Sequence, residues 1–576
     1  MRVWIRRTTM ERKTKQAIIG TAIALLIIFI VIIASVMKSL TPSKEVMALD
    51  EYYKVNDKEV LIILQDRIYD KKGLFVGNQV YLDYDTVVQT FNKRFHWDSN
   101  ENILSYTTPT EVIKAEVGSN EYYVNKSKQQ ADYTIVKTEG DQVYISIDFV
   151  KQYSDLKYDF YKDPNRVVIE YKSGDFLYTT VKKPTQLRVE PSIKSEILKQ
   201  LEQDAKLLFV DTSEVVKKGF TKVMTEDGII GYVRNKHIRE SEYEKIESDY
   251  VAPEYTHITK EGTINLVWHQ VTNKDANGGL LGLLQDTKGV TVVSPTWFSV
   301  KSNEGTISSL ASETYVERAH SQGVEVWALV DDFNPEVNML EVLSYTSRRE
   351  KLSNELIAEA IKYNLDGINI DFERISAEAG KHFIQFIREL SVKCRNNGIV
   401  LSIDNYIPAE YSAYYDREEQ GIVADYVIIM AYDEHHSNSE VSGSVSSIGF
   451  VKQAIERTLK MVPKERVIMG IPFYTRLWKE VEDSGTVKVT SEALGMTAGI
   501  EVLKKNNIEP VWDEDAGQYY GEYKKEDATY KIWLEEDESI EAKMKLIDQA
   551  DLAGIACWKL GLEKESVWNV IQKYIN

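Results

Sequence analysis

From Thr263 to Asn576 the chain repeats one alternation. Eight β-rich runs follow one another: TINLVWHQV, VTVVSPTW, VEVWALVD, LDGINIDFE, IVLSIDNY, ADYVIIMAYD, RVIMGIPFY and AGIACWKLG. Most are separated by helix-length amphipathic segments. In GKHFIQFIRELSVKCRNNG, apolar residues recur at spacings of three and four, which is one face of an α-helix. Parallel strands need a crossover about as long as a helix, so strands alternating with helices imply parallel pairing. Eight such units close on themselves, and the expected fold class is α/β, a (β/α)8 TIM barrel over residues 263–576. The longest break in the alternation, roughly Thr475 to Ile547, falls between the seventh and eighth runs and carries Trp478, Trp512, Tyr519, Tyr520, Tyr530 and Trp533. It is expected to be an α+β insertion, either a small extra subdomain or the wall of a cleft.

Side chains two apart on a strand share a face. In LDGINIDFE, Ile368, Ile370 and Phe372 therefore point one way, and Asn369, Asp371 and Glu373 the other. Unpaired carboxyls on a half-buried face are costly unless their charge is used. In a barrel of this kind the active site lies at the carboxyl ends of the strands, and polar residues collect there. Asn369, Asp371 and Glu373 end the fourth run and Asp404 the fifth. Tyr432 and Asp433 end the sixth, Tyr474 and Arg476 follow the seventh, and Trp558 ends the eighth. Asp366 is off this parity, beside Gly367, and is expected to be structural. His269, His435 and His436 lack the spacing of a zinc motif, so no metal site is expected. Cys394 and Cys557 form no disulfide framework and read as buried apolar thiols.

The N-terminus constrains location. Arg2, Arg6, Arg7, Arg12, Lys13 and Lys15 stand against the single acid Glu11, and an uncharged apolar run follows from Ala17 to Met37. That run has about the length that crosses a bilayer. It is longer than a signal peptide's apolar region, and Ala34-Ser35-Val36 fits a cleavage site poorly. The expectation is a cytoplasmic basic tail (1–16), an uncleaved transmembrane anchor (17–37) in the cell membrane, and everything after Lys38 extracytoplasmic. The net charge of -19 argues against a nucleic-acid binder, which would normally show a basic face.

After a linker (38–52), residues 53–175 read as a small α+β module. Strand-like runs such as EVLIILQD, GNQVYLDYD, DQVYISID and NRVVIEY surround a helix-like TVVQTFNKRF. The segment VYLDYDTVVQTFNKRFHWDSNENILSYTTP, followed by IKAEVGSN, resembles the copper-amine-oxidase N-terminal-like stalk domains of bacterial surface proteins. Its sole histidine, His96, gives no reason to expect copper. Residues 179–240 read as a small all-β module. Its LR-x-x-PS opening, the turn at Asp227-Gly228 and the closing Gly231-Tyr232-Val233 resemble a bacterial SH3-like domain, with Phe220 where Trp is usual. The resemblance implies a binder of cell-wall peptides; a plain spacer is the alternative. A charged linker with Pro253 (241–262) leads to the barrel.

The barrel carries a third resemblance. LDGINIDFE is similar to the D-G-x-D-x-D-x-E signature of glycoside hydrolase family 18, the chitinase-like enzymes. MAYD, Met430 to Asp433, is similar to the family's M-x-Y-D, and GIPFYTRLW to its G-x-P-x-Y-G-R-x-W with Thr475 in place of Gly. Trp558 matches the eighth-strand Trp that floors the sugar site. The resemblance implies hydrolysis of β-1,4 bonds after N-acetylglucosamine, with the substrate's own acetamide as nucleophile. It implies Glu373 as general acid, Asp371 as the group that orients the acetamide, and Tyr432 as donor to the acetamide oxygen. Asn369, Met430, Asp433, Arg476 and Trp558 would bind substrate, with no metal or organic cofactor. Asn369 departs from the usual Asp. GINIDFE together with GQYYGEY, IWLEEDES and CWKLGLE looks closest to the spore-cortex and cell-wall N-acetylglucosaminidases of spore-forming bacteria, which favours peptidoglycan over chitin as substrate. The alternative is a catalytically silent, lectin-like wall protein. Such relatives usually lose the Glu that is present here at 373.

Overall fold

Alternation between two apolar faces builds the larger part of this molecule. In a computed structural model, residues 2–210, 219–483 and 485–575 are described. Contacts divide the chain into two compact units, Met1–Lys93 with Ile135–Ala252, and Arg94–Thr134 with Pro253–Asn576.

The second unit holds the barrel. Its strands are β1 (Ile264–His269), β2 (Val292–Val300), β3 (Glu325–Asp331), β4 (Gly367–Asp371), β5 (Val400–Tyr406), β6 (Tyr426–Met430), β7 (Val467–Pro472) and β8 (Gly554–Trp558). Each pairs in parallel with its sequence neighbours, and β8 pairs with both β7 and β1, which closes the ring. One residue set of each strand fills the interior, where Leu266, Trp268, Leu329, Ile428 and Ile468 are buried together. The alternate set, including Ile368, Ile370 and Phe372, packs outward against the helices. Phe372 stacks on Phe386 with ring centroids 5.9 Å apart, so the parity expected in LDGINIDFE is the parity observed.

Between β7 and β8 lies an α+β insertion. It is a five-stranded antiparallel sheet running from Tyr474–Asp483 through Thr486–Gly495, Val511–Asp513 and Gln518–Lys525 to Ala528–Leu534, with a helix at Met496–Lys505. Its aromatic residues pack locally. Trp478 is fully buried and donates its Nε1–H to Gly443 O, and Tyr523 stacks on Tyr530.

A second addition to the barrel comes from far upstream. His96–Asp98, Ile103–Thr107, Val112–Glu116, Glu121–Val124 and Ser127–Gln130 form an antiparallel meander. It lies against the helices Thr346–Lys362 and Gly380–Asn396. Asp98 Oδ2 accepts the N–H of Thr346 at 2.6 Å, and Gln385 Nε2 donates to Thr107 Oγ1 at 3.0 Å. The middle of the 53–175 span thus contacts the barrel, while its two ends belong to the other unit.

In the first unit, Glu59–Leu64, Gly73–Val76, Gln79–Asp83, Gln142–Ser146 and Arg166–Glu170 contribute to one sheet. A second sheet is antiparallel and contains Thr185–Arg188, Ile197–Leu201, Lys206–Phe209, Phe220–Thr225 and Ile230–Arg234. Within the span expected to be SH3-like, residues 211–218 lie outside the described residues. The N-terminal helix Arg2–Leu40 contains a stretch, Thr9–Leu40, that by length and composition is able to cross a membrane.

Candidate active site

Polar side chains on β4 and β5 stand in two neighbouring rows at the carboxyl end of the barrel. The register pairs Asn369 with Ser402 and Ile370 with Ile403, which sets Asp371 beside Asp404. Asn369 is buried at the bottom of its row. Its Oδ1 accepts from Trp268 Nε1 at 3.0 Å and Ser294 Oγ at 3.1 Å, and its Nδ2 donates to Ser402 Oγ at 3.1 Å and Asp404 Oδ1 at 2.8 Å. The amide is saturated and its orientation fixed. Above it, the Tyr406 hydroxyl donates to Glu373 Oε2.

Glu373 lies just beyond β4, and its backbone is held by the strand before. Asp332 accepts the N–H groups of Glu373 at 3.0 Å and Arg374 at 2.9 Å. On the other side of the turn, the Tyr415 hydroxyl donates to Phe372 O at 2.9 Å. These bonds pin the carboxyl-bearing turn from both flanks.

The rows open into a cavity of about 170 Å³. Asp371, Glu373, Tyr432, Met430, Asp433 and Trp558, all expected from the sequence, line it. Trp558 and Trp268 have ring centroids 5.9 Å apart, and Trp268 meets Tyr432 edge-on at 6.3 Å. Asp433 accepts a hydrogen bond from the Tyr474 hydroxyl. Arg476 is not among the lining residues; it lies on the first strand of the insertion and donates from Nη1 to Ser491 Oγ at 3.0 Å.

Further lining residues carried no role in the sequence reading: Tyr406, Trp268 and Phe333, with Asp404 noted only as a strand end. Tyr406 and Asp404 are two apart on β5, the same spacing as Asp371 and Glu373, so parity applied to IVLSIDNY would have found the pair. Trp268 follows from the same rule on β1. Phe333 sits in the loop after β3, where no periodicity applies.

Electrostatically the site is acidic. No Lys, Arg or His among the described residues lines the cavity. Burial first, then the charges of Asp404 and Glu373, push the Asp371 carboxyl well above the usual range. Asp404 is raised by burial, against the pull of the Asn369 hydrogen bond. Glu373 is raised by burial, with the Tyr406 hydrogen bond acting the other way and Asp433 adding to the rise. Asp332 is pushed up to about 6, mainly by burial. A carboxyl kept protonated beside an anion is what general acid chemistry needs.

The remaining candidates have local partners. Asp366 Oδ2 accepts the Val326 N–H at 2.8 Å and faces His320 Nε2 at 2.8 Å, a strand-start role. His269 pairs with the Tyr315 hydroxyl and His435 with Ser444 O. Cys394 and Cys557 are buried and free.

Comparison with known proteins agrees with this geometry. The model of glycosyl hydrolases family 18 matches residues 266–563, and that of the copper amine oxidase N-terminal domain matches residues 55–169. The chain is 28% identical over 272 residues to the uncharacterized glycosylase YvbX of Bacillus subtilis (strain 168), covering 44% of this chain and 76% of that one. It is 30% identical over 236 residues to the putative sporulation-specific glycosylase YdhD of the same organism, covering 38% and 53%. To the cortical fragment-lytic enzyme of B. subtilis it is 27% identical over 253 residues, covering 42% and 57%. The match thus spans little more than half of the last two relatives. The C-terminal domain of a putative chitinase from Desulfitobacterium hafniense DCB-2 shares the fold, with a TM-score of 0.50 at 21% identity over 55% of this chain and 99% of that one. With the family model covering more than half of the sequence, the chain belongs to glycosyl hydrolases family 18 and is a glycoside hydrolase.

Proposed function

We propose that this glycoside hydrolase is held at the outer face of the cell membrane by its N-terminal helix and cleaves β-1,4 bonds after N-acetylglucosamine in peptidoglycan. The observation that carries the reading is the row Asp371–Glu373 beside Tyr432 and Trp558 in one cavity that no cation among the described residues lines. Glu373, protonated in these surroundings, donates its proton to the glycosidic oxygen as the bond to C1 breaks. The acetamide carbonyl oxygen of the same sugar forms the new bond to C1, giving an oxazolinium ion. Asp371 accepts the acetamide N–H and offsets the positive charge, and the Tyr432 hydroxyl donates to the acetamide oxygen. The Trp558 ring lies under the sugar and keeps water from the intermediate. Water deprotonated by the Glu373 carboxylate then opens the oxazolinium with retention at C1. Met430 and Asp433 shape the pocket; Asn369, expected from the sequence to bind substrate, is buried below it with its amide fully bonded and holds Asp404 and Ser402 instead; Arg476, on the insertion, is assigned to more distant sugar contacts.

Peptidoglycan is preferred because a putative sporulation-specific glycosylase and a cortical fragment-lytic enzyme are among the relatives. An anchor and extracytoplasmic modules suit a wall substrate, and wall peptides are the ligand assigned to residues 179–240. The test uses the full chain in detergent, wild type beside Glu373→Gln, with purified peptidoglycan and with chitin oligomers. New reducing N-acetylglucosamine ends from the wild type alone, more from peptidoglycan, are expected. Binding of both polymers by both proteins without cleavage would replace the enzyme with a lectin.

A further inference from the structure

Strand alternation in the first unit aims two walls at each other. Lys157–Tyr161 pairs antiparallel with Arg166–Glu170, and the register sets Asp159 opposite Val168 and Lys157 opposite Glu170. Residues opposite one another or two apart share a face, so Asp159, Tyr161 and Glu170 stand on the side of Val168. In the other sheet, Tyr178, Leu208 and Met224 form one row across three strands. Lys206 is two residues from Leu208 and joins that face. Val168, Leu208 and Met224 are buried in one cluster, against which Tyr161 and Tyr178 pack. Two contacts tie the sheets together. The Tyr161 hydroxyl donates to Glu226 O at 3.1 Å, and Arg166 donates to Asp227 O at 2.6 Å and to its carboxylate at 3.1 Å.

These faces bound a cavity of about 770 Å³, a size that small ligands fill. Its charges do not balance. Lys157 is paired with Asp249 at 3.1 Å and Lys206 with Glu244 at 2.6 Å, and Lys151 lies 5.6 Å over the Tyr158 ring. Against them, the carboxylates of Asp159, Glu170 and Glu226 line the same cavity, and no side chain among the described residues pairs with them. Burial first, then Asp159 with Asp227 and Glu226, raises the Tyr161 hydroxyl; burial first, then Glu170, raises Tyr178. Each of these two rings already carries a cation of the chain, Arg166 or Lys206, and serves as apolar wall. An unspent polar group completes the lining: Ser154 is 3% exposed and its hydroxyl has no hydrogen-bond partner.

We propose that this cleft binds a short peptide carrying a primary ammonium, which the carboxylates of Asp159, Glu170 and Glu226 receive over the apolar floor of Val168, Leu208 and Met224. Three unpaired carboxylates select a cation, and the apolar floor and the Ser154 hydroxyl suit a peptide chain better than a bare metal ion. The site rests on the wall-peptide reading of residues 179–240 and extends it. Asp159 and Glu170 come from the 53–175 span and Glu226 from 179–240, so neither span alone completes the cleft.

The experiment titrates the full chain in detergent, by calorimetry, with glycan-free peptides released from purified peptidoglycan, before and after acetylation of their amines. Wild type stands beside the triple variant Asp159→Asn, Glu170→Gln, Glu226→Gln. All three residues are exposed, so the fold is kept, and circular dichroism checks it. An ion pair this exposed contributes little, and losing all three should weaken Kd by about tenfold. Acetylation should weaken binding to the wild type by a similar factor and leave the triple variant unaffected. Added salt should erode the wild-type preference for the free amine. Equal binding of the free peptide by wild type and variant, or a wild type indifferent to acetylation, removes the cleft and leaves the wall-peptide reading standing. No binding by the wild type overturns both. Glycan cleavage by the same preparation judges the hydrolase separately.

Discussion

A single carboxyl, Glu373, concentrates the residue-scale chemistry. Its conversion to Gln removes the acid and should lower kcat by about 10²–10⁴-fold with glycan binding retained, read as reducing ends per enzyme. Tyr406 is the subtler case. Its hydroxyl donates to Glu373 and pulls the carboxyl toward ionisation against the effect of burial. In Tyr406→Phe that pull is gone and Glu373 holds its proton to higher pH. The basic limb of kcat/KM should therefore move up, by less than about one unit. An unmoved limb would mean that the bond is broken before chemistry begins. Asp371 and Glu373 were legible in the sequence because parity along one strand is local. Tyr406 has the same parity on β5, yet its partner is across a strand boundary that sequence spacing does not register.

At the scale of elements, the meander at 96–130 is joined to the barrel through buried charge. Glu419 accepts from Arg94 Nε at 2.6 Å and Arg388 Nε at 2.8 Å. Burial alone would raise Glu419, but the two guanidinium groups outweigh it and hold the carboxyl at about 2. Glu419→Gln leaves two buried cations under-compensated and should cost about 3–5 kcal/mol, seen as a lower Tm and faster hydrogen exchange in 96–130. A second contact adds pH dependence. His96 Nε2 and His382 Nδ1 lie 2.9 Å apart in the same joint, so at most one of the two carries that proton. Burial, then Lys381 and Arg349, lower His382 to about 4, and burial with Arg349, His382, Arg388 and Lys381 lowers His96 as well; Asp98 pulls His382 the other way. A histidine depressed in the folded state favours folding above its unfolded value near 6.5. That contribution is lost as pH falls from about 6.5 to about 4. Exchange in the meander should accelerate through this window while the β4 core stays protected.

For the whole molecule, the helix Arg2–Leu40 is exposed along its described length and adds nothing to either core. Removing residues 2–40 should move the protein from the membrane to the soluble fraction and leave kcat/KM on soluble oligomers within about twofold. With the helix in place, protease added outside intact cells should digest the barrel side and spare the basic tail. Digestion of neither side would place the barrel in the cytoplasm and remove peptidoglycan as its substrate.

The sequence by itself determined the eight-strand alternation, the inward row Asn369–Asp371–Glu373, the outward row Ile368–Ile370–Phe372, the insertion before β8 and the membrane-length helix. All of these follow from periodicity or apolar length within one segment, which short-range geometry dictates. Only the tertiary structure decided that Asp404 and Tyr406 stand beside Asp371 and Glu373, and that Asn369 is locked by Trp268 and Ser294. It also decided that Arg476 points into the insertion, and that residues 94–134 leave their own module for the barrel helices. Those outcomes depend on register between strands and on contacts hundreds of residues apart, and they are set by how the faces pack once the ring has closed.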